Sequence, residues 1–166
     1  MEIICSWNIA NVFLKKSFEE RIYITSLKLN CLIYLLYSHY LYNTGQKLFS
    51  EFFIKTNEGP VLVNIESKFG GFNNNVITKY ARDSKGNIYG VDGDTLKVSL
   101  DYIWNLYKYI SDDELLNFLN NNYSFSNKRD DEFIYDIEII DDEIRINERL
   151  LENAKGYRKI LQRNNI

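Results

Sequence analysis

The sequence has few of the residues on which enzyme and metal chemistry most often depend. Its 166 residues include one histidine, one proline, one methionine and two cysteines. The single histidine, His39, and the separated thiols of Cys5 and Cys31 provide few ligands for a transition metal. Because the cysteines lie far apart in apolar runs, they favour buried thiols of a cytosolic protein over a disulfide. We expect no metal site and no cofactor.

Recognisable catalytic motifs are also missing. The stretch "KFGGFNNN" lacks the Gly-Lys-Ser/Thr ending of a phosphate-binding loop, and no nucleophile elbow, zincin or Cys-x-x-Cys pattern occurs. His39 lies between tyrosines in a predicted helix, a setting typical of a structural histidine. The sequence therefore favours a protein that is not an enzyme. An enzyme with an unrecognised site around His39, Tyr34 and Lys28 stays open as an alternative.

Long apolar runs and a positive net charge are absent as well. The longest apolar run, "CLIYLLY", is far shorter than a membrane span, and Glu2 stands where a signal peptide would carry basic residues. We therefore expect a cytoplasmic protein without membrane association. The net charge of −3 argues against direct binding of nucleic acid, which needs a positive face.

The charges are distributed unevenly along the chain. Residues 112–142 hold ten acidic residues and two basic ones, whereas residues 143–166 hold six basic residues and three acidic ones. The acidic segment is either a solvated edge or a surface for a basic protein partner. On the second interpretation, Asp130, Asp131 and Glu132 in a polar loop are candidate partner contacts.

What the sequence has in abundance is aromatic and aliphatic side chains. Ten phenylalanines and thirteen tyrosines are enough to fill a core. Helical spacing predicts a first helix over about residues 6–17. Residues 25–43 are apolar almost all round, which predicts a buried central helix capped by Thr25 or Ser26 and ended by Gly45. We expect one helix-rich α+β domain over 1–166 with a small antiparallel sheet.

The middle of the chain is predicted to contain short elements. We expect a strand at about residues 51–56 and a short helix with Pro60 at its first position. Alternation after Val76 predicts a hairpin that turns at residues 84–87 and returns to Val91. Asp94 is then expected to cap a helix. A capping box from Ser111 to Glu114 predicts another helix through Leu119.

The C-terminal segment, residues 121–166, allows two interpretations. Alternating residues in 133–146 favour a β-hairpin that turns at Asp141-Asp142, with a single strand running into a helix as the alternative. The last helix is expected to be interrupted at Gly156.

The order of three stretches resembles that of a known family. "SWNIANVFL", "TSLKLNCLIYLLYSHYLYNTGQKLFSEFF" and "NEGPVLVNI" together resemble the Panacea domain of SocA-like antitoxins and phage-associated GepA-like proteins. The resemblance covers about residues 6–120, so 121–166 form a divergent extension. The matching motif positions are Lys28, Leu29, Leu32, Tyr34, Gly45, Leu48, Phe49, Gly59, Pro60 and Val61. This chain departs from the family at Cys31, where a second lysine is usual, and lacks the later His…Pro-Trp segment.

The resemblance implies a non-catalytic interaction protein. Panacea domains act as antitoxins that are paired with unrelated toxins, and a SocA-type member is also an adaptor to a protease. We therefore expect a protein that neutralises a partner toxin by direct binding. The alternative is a phage or mobile-element inhibitor of a host defence nuclease, of the anti-CRISPR type, that uses the acidic surface. Thr56, Asn57 and Glu58 replace the family's aromatic residue before Gly-Pro-Val and are further candidate partner contacts.

Overall fold

The computed structural model describes residues 4–90 and 94–164 as a helix-rich α+β domain, as predicted. A short 3-10 turn at Gly70–Phe72 follows the third helix. The helices are α1 (Ser6–Glu20), α2 (Ser26–Thr44), α3 (Val63–Phe69), α4 (Asp94–Tyr107), α5 (Asp112–Asn120), α6 (Tyr123–Ser126) and α7 (Asp136–Asn164). The strands are β1 (Phe53–Thr56), β2 (Gly59–Val61) and β3 (Phe133–Ile134).

Helix α2 is the buried centre of the domain, which confirms the prediction. Helices α1, α3, α4, α5 and α7 and strand β2 all pack against it. Its first turn is capped by Thr25, whose hydroxyl accepts a hydrogen bond from the Lys28 N–H (3.2 Å). It ends at Gly45, which has a φ of 68° and donates its N–H to the Leu41 carbonyl. Because caps and all-round hydrophobicity are local properties, the sequence could indicate them.

The motif lysine of α2 joins two helices. Lys28 Nζ donates hydrogen bonds to the carbonyls of Lys108 (2.8 Å) and Ile110 (2.6 Å), just beyond the end of α4. Burial lowers the pKa of Lys28, and the nearby Asp112 carboxylate offsets part of that effect. Lys28 therefore satisfies backbone carbonyls that the end of α4 leaves without intrahelical donors.

The three strands form an antiparallel sheet in the order β2-β1-β3, and β1 confirms the predicted strand. The prediction for Pro60 is wrong, because Pro60 lies in β2 opposite Lys55 and α3 begins only at Val63. An edge strand tolerates proline, since proline has no N–H to donate to the ladder. The extended segment is held by Asn30, whose Oδ1 accepts the Leu62 N–H (3.1 Å) just before α3.

The hairpin predicted after Val76 is also wrong in most of its length. The predicted turn at 84–87 does form: Asp83 donates its N–H to the Asn87 carbonyl (2.8 Å), Tyr89 donates its N–H to the Ala81 carbonyl (3.4 Å), and an isolated bridge joins Arg82 and Ile88. Among the described residues the pairing extends no further, and the buried side chain of Asn11 holds the two arms. Its Oδ1 accepts the Ala81 N–H (2.8 Å), and its Nδ2 donates to the carbonyls of Ala81 and Tyr89 (both 2.9 Å). The predicted end of the hairpin at Val91 and the capping side chain of Asp94 lie outside the described residues.

The C-terminal segment takes the second predicted form, a short strand that runs into a helix. The hairpin turning at Asp141-Asp142 is wrong, because both residues lie inside the continuous helix α7, and Gly156 does not interrupt that helix. Asp142 is buried and accepts hydrogen bonds from the N–H groups of Tyr123 (3.0 Å) and Ser124 (3.2 Å). The capping box of Ser111 and Glu114 at α5 is confirmed. In the part of the chain described here, no helix has both the length and the hydropathy that crossing a bilayer requires.

Candidate protein-binding surface

The structure brings the two predicted contact stretches, 56–58 and 130–132, to the same end of the sheet. Lys55 in β1 donates its N–H to the Glu132 carbonyl (2.9 Å) and accepts the Asp131 N–H (2.8 Å) at its own carbonyl. The β1–β2 turn is fixed by Thr56, whose hydroxyl accepts the Glu58 N–H (3.1 Å) and donates to the Gly59 carbonyl (3.0 Å). The two turns, far apart in sequence, are therefore neighbours on either side of one strand.

The charges at this end of the sheet are only partly balanced. Lys55 Nζ pairs with Asp130 (3.4 Å) and also donates to the Lys128 carbonyl (2.6 Å). Asp131 and Glu132 are exposed and form no ion pair among the residues that the structure describes. Asp131 occupies a left-handed conformation with a φ of 68°, a strained geometry that the surrounding turn maintains. Asp131 and Glu132 outnumber the one exposed base of this turn, Arg129, so the net exposed charge is negative.

The rest of the acidic segment does not form one surface with this turn. Asp136 accepts a hydrogen bond from the Tyr37 hydroxyl (2.8 Å) and pairs with Lys47 (3.2 Å). Glu138 pairs with Lys128 (2.8 Å). Several of its acids are thus engaged within the fold: Asp112, Asp136, Glu138 and Asp142. The candidate acidic contact narrows to the turn at 130–132.

An exposed group of aromatic side chains, which sequence reasoning missed, lies beside the acidic turn. Phe52, Phe133 and Tyr135 are 45%, 49% and 51% exposed. The Phe52 ring centroid lies 5.9 Å from that of Phe133 and 6.2 Å from that of Tyr135, both at edge-to-face angles. We call these three residues the aromatic cluster. The alternation of residues could have indicated that Phe133 and Tyr135 share one face. That Phe52 lies beside them follows only from the register in which β1 pairs with β3.

Two lysines lie over this cluster. Lys47 Nζ is 5.4 Å from the ring centroid of Phe52, and Lys128 Nζ is 5.5 Å from that of Tyr135. Both lysines also pair with acids of α7, so they link the cluster to the helix below it. The result is an apolar patch with charged groups of both signs at its border, which is the usual composition of a protein-binding surface.

The residues of the alternative enzyme site do not come together. Lys28 and His39 are separated by about 16 Å along α2, given a rise of 1.5 Å per residue. The Tyr34 hydroxyl is buried, and burial raises the pKa of Tyr34 far above its ordinary value. Its ring packs edge-on against those of Phe53 and Phe125. Tyr34 and Lys28 therefore have structural contacts of their own.

His39 itself borders a cleft of about 300 Å³ between α2, α4 and α7. Its ring stacks on Tyr102 with centroids 5.0 Å apart, and its carbonyl accepts a hydrogen bond from Asn43 (2.7 Å). The neighbouring Ser38 hydroxyl donates to Glu143 rather than to His39. A serine nucleophile activated by this histidine is therefore not assembled. Over the ranges that the structure describes, no group of three potential ligands could hold a metal ion.

Comparisons with protein families, with curated proteins and with solved structures find no match to this chain. The resemblance to the Panacea domain therefore stays a prediction that rests on the quoted motifs.

Proposed function

We propose that this protein is a non-catalytic interaction protein that neutralises a partner toxin by direct binding. The observation that carries the proposal is the aromatic cluster beside the acidic turn at 130–132. The motif order that resembles the Panacea antitoxins supports the choice of a toxin as the partner. The binding surface comprises the aromatic cluster, Asp131 and Glu132, and the adjoining turn at 56–58.

Exposed aromatic side chains are normal when they are scattered singly, but a contiguous group is typical of an interface. Phe133 lies in β3, and Phe52 and Tyr135 directly flank the paired strands β1 and β3. Because the paired strands fix the backbone here, little conformational entropy is lost when a partner covers these side chains. The acidic turn and Glu58 lie at the edge of the patch, where charges mainly direct encounter and exclude wrong partners. We therefore expect a partner with an apolar pocket bordered by lysine or arginine.

The test is binding of the purified protein to the product of the adjacent reading frame, together with growth rescue when both are co-expressed. If the cluster is the centre of the interface, Phe52→Ala and Phe133→Ala should each weaken the free energy of binding by about 1–2 kcal/mol, which raises Kd roughly 5- to 30-fold. The matched control is Tyr109→Ala, because Tyr109 is an exposed aromatic residue (79%) outside the sheet.

Loss of rescue in the cluster variants, with rescue retained in the Tyr109 variant, supports the proposal. Equal binding by all variants would show that the aromatic cluster does not contribute to binding of the partner. An adjacent product that is neither toxic nor bound would remove the toxin from the proposal.

The exposed acids Asp131 and Glu132 favour a second candidate, an inhibitor of a basic host defence nuclease. Here Asp131→Lys combined with Glu132→Lys should weaken inhibition strongly at low salt and much less at high salt, because salt screens exposed charges. The matched control is Asp113→Lys, an exposed acid of α5 away from this turn. If neither the charge reversal at Asp131 and Glu132 nor the salt concentration changes the inhibition, the acidic turn does not contact the nuclease.

A further inference from the structure

The cleft beside His39 has walls that consist largely of aromatic rings. Its volume is about 300 Å³, at the lower end of the range for small-molecule sites. His39 of α2 stacks on Tyr102 of α4, and further along α4 the ring centroid of Tyr107 lies 6.4 Å from that of Phe118 in α5. All four rings line the cleft. Because Tyr102 and Phe118 are exposed, a ligand can reach these walls from solvent.

The cleft also holds one carboxylate, that of Glu143 on α7. Of the described residues that line the cleft, Glu143 is the only acid, and none is a lysine or arginine. Its Oε1 accepts the Ser38 hydroxyl, and within the part of the chain that the structure describes its Oε2 has neither a hydrogen bond nor an ion pair. Burial raises the pKa of Tyr107, and the nearby Glu143 carboxylate raises it further. The negative charge of Glu143 therefore acts on the aromatic wall.

These groups favour a cation as the occupant of the cleft. The faces of aromatic rings carry partial negative charge and attract ammonium groups. A carboxylate half-buried among such rings loses part of its hydration, which a bound cation can replace. Asn147 Nδ2 donates to the Glu143 carbonyl (2.9 Å), which leaves the Asn147 Oδ1 as a further acceptor. A primary ammonium has three N–H donors for such oxygens, whereas a quaternary ammonium has none.

We propose that this cleft binds a small primary amine, in its ammonium form, that carries a short aromatic body. The ammonium group pairs with the Glu143 carboxylate, and the body packs against the rings of Tyr102 and Phe118. The cleft shares no residue with the aromatic cluster. This proposal therefore does not depend on the proposed toxin binding.

The charge preference is tested by titrating the full chain at neutral pH with phenethylamine while following its amide NMR signals. The controls are phenethyl alcohol and hydrocinnamate, which carry the same ring with a neutral and a negative head group. Phenethylamine should bind about tenfold more tightly than either control, with the largest shifts at residues of the cleft. Equal affinity for the amine and the alcohol, or no binding of phenethylamine at millimolar concentrations, would overturn the proposal.

Two variants test the groups that recognise the amine. Glu143→Gln keeps an acceptor for the Ser38 hydroxyl but removes the charge, so it should abolish the preference for amine over alcohol. Tyr102→Leu keeps an apolar wall but removes the ring face, so it should weaken amine binding roughly 2- to 5-fold. The matched control is Asp141→Asn, which removes one charge from an exposed part of α7 outside the cleft and should bind like the wild type. If Glu143→Gln keeps the preference, Glu143 is not the partner of the amine.

The lysine side chain of a protein partner has the same ammonium chemistry. Titration with a lysine blocked at both its backbone amine and its carboxyl group distinguishes this source from a small molecule. Phenethylamine should bind more tightly than the blocked lysine, because its ring can pack against the aromatic walls. If the blocked lysine binds and phenethylamine does not, the cleft recognises a protein side chain and the proposed small-molecule site is wrong.

Discussion

Replacing Gly59 by alanine should destabilise the protein more than replacing Gly45 by alanine. Both glycines have positive φ values, 94° and 68° respectively. A Cβ on Gly45 would meet nothing within 4 Å, whereas a Cβ on Gly59 would lie 3.2 Å from Leu116 Cδ1 and 3.7 Å from Cys31 Sγ. The pair therefore separates the cost of backbone strain from the cost of a close approach inside the core.

The expected magnitudes follow from these two costs. At Gly45, left-handed strain of about 1–2 kcal/mol is partly offset by about 0.4–1 kcal/mol, because alanine restricts the unfolded chain. At Gly59, φ lies further from the left-handed minimum, so strain costs about 1–3 kcal/mol, and displacing Leu116 adds about 1 kcal/mol. We expect a net loss of about 1 kcal/mol for Gly45→Ala and about 2–3 kcal/mol for Gly59→Ala.

The assay is urea unfolding followed by tryptophan fluorescence, which reports the buried Trp104 together with Trp7. With a slope of about 2 kcal/mol/M, the two midpoints should differ by roughly 0.5–1 M. Adding Leu116→Ala to both the wild type and the Gly59 variant gives a double-mutant cycle, in which relief of the contact should appear as a favourable coupling energy. If Gly59→Ala lowers the free energy of unfolding by no more than Gly45→Ala does, the close contact with Leu116 is not the reason that position 59 needs glycine.

Three further perturbations test other contacts. Lys28→Met should cost about 1–3 kcal/mol, because it leaves the carbonyls of Lys108 and Ile110 without their donor, and it should speed amide exchange at the end of α4. Asn11→Ala should release the segment 81–89 and make the turn around Arg82 sensitive to protease, while wild-type protein resists cleavage there. Burial raises the pKa of Cys31 to about 12, so iodoacetamide should label Cys5 first at neutral pH and Cys31 only in urea.

The correct predictions concern features that neighbouring residues determine by themselves. Thr25, Gly45 and the pair Ser111 and Glu114 act within one turn of a helix, so their residue types indicate the helix ends. The incorrect predictions concern segments whose form depends on distant partners. Pro60 is in a strand because β1 pairs with it, and Asp142 is inside a helix because its carboxylate caps α6. Neither partner can be identified from local periodicity.

The candidate site was predictable in part for the same reason. The residues 56–58 and 130–132 stood out by their composition, but only the pairing of β1 with β3 places both turns beside Lys55. Phe52 and Phe53 are adjacent in sequence, yet Phe53 is 1% exposed and Phe52 is 45% exposed. The face of each aromatic residue is decided by the strand register, which is a long-range property.

Most of the motif residues that resemble the Panacea domain are buried and stabilise the fold. Lys28, Leu29, Leu32 and Tyr34 are at most 7% exposed, and Gly59 lies against Cys31 in the core. Residues buried to this degree cannot also contact a partner. Changes in the motif should therefore alter stability, whereas changes in partner choice should come from the exposed aromatic cluster and the two turns beside it. Exchanging these exposed residues while keeping the motif should then change the partner without unfolding the domain, and an exchange that leaves the partner unchanged would place recognition elsewhere on the surface.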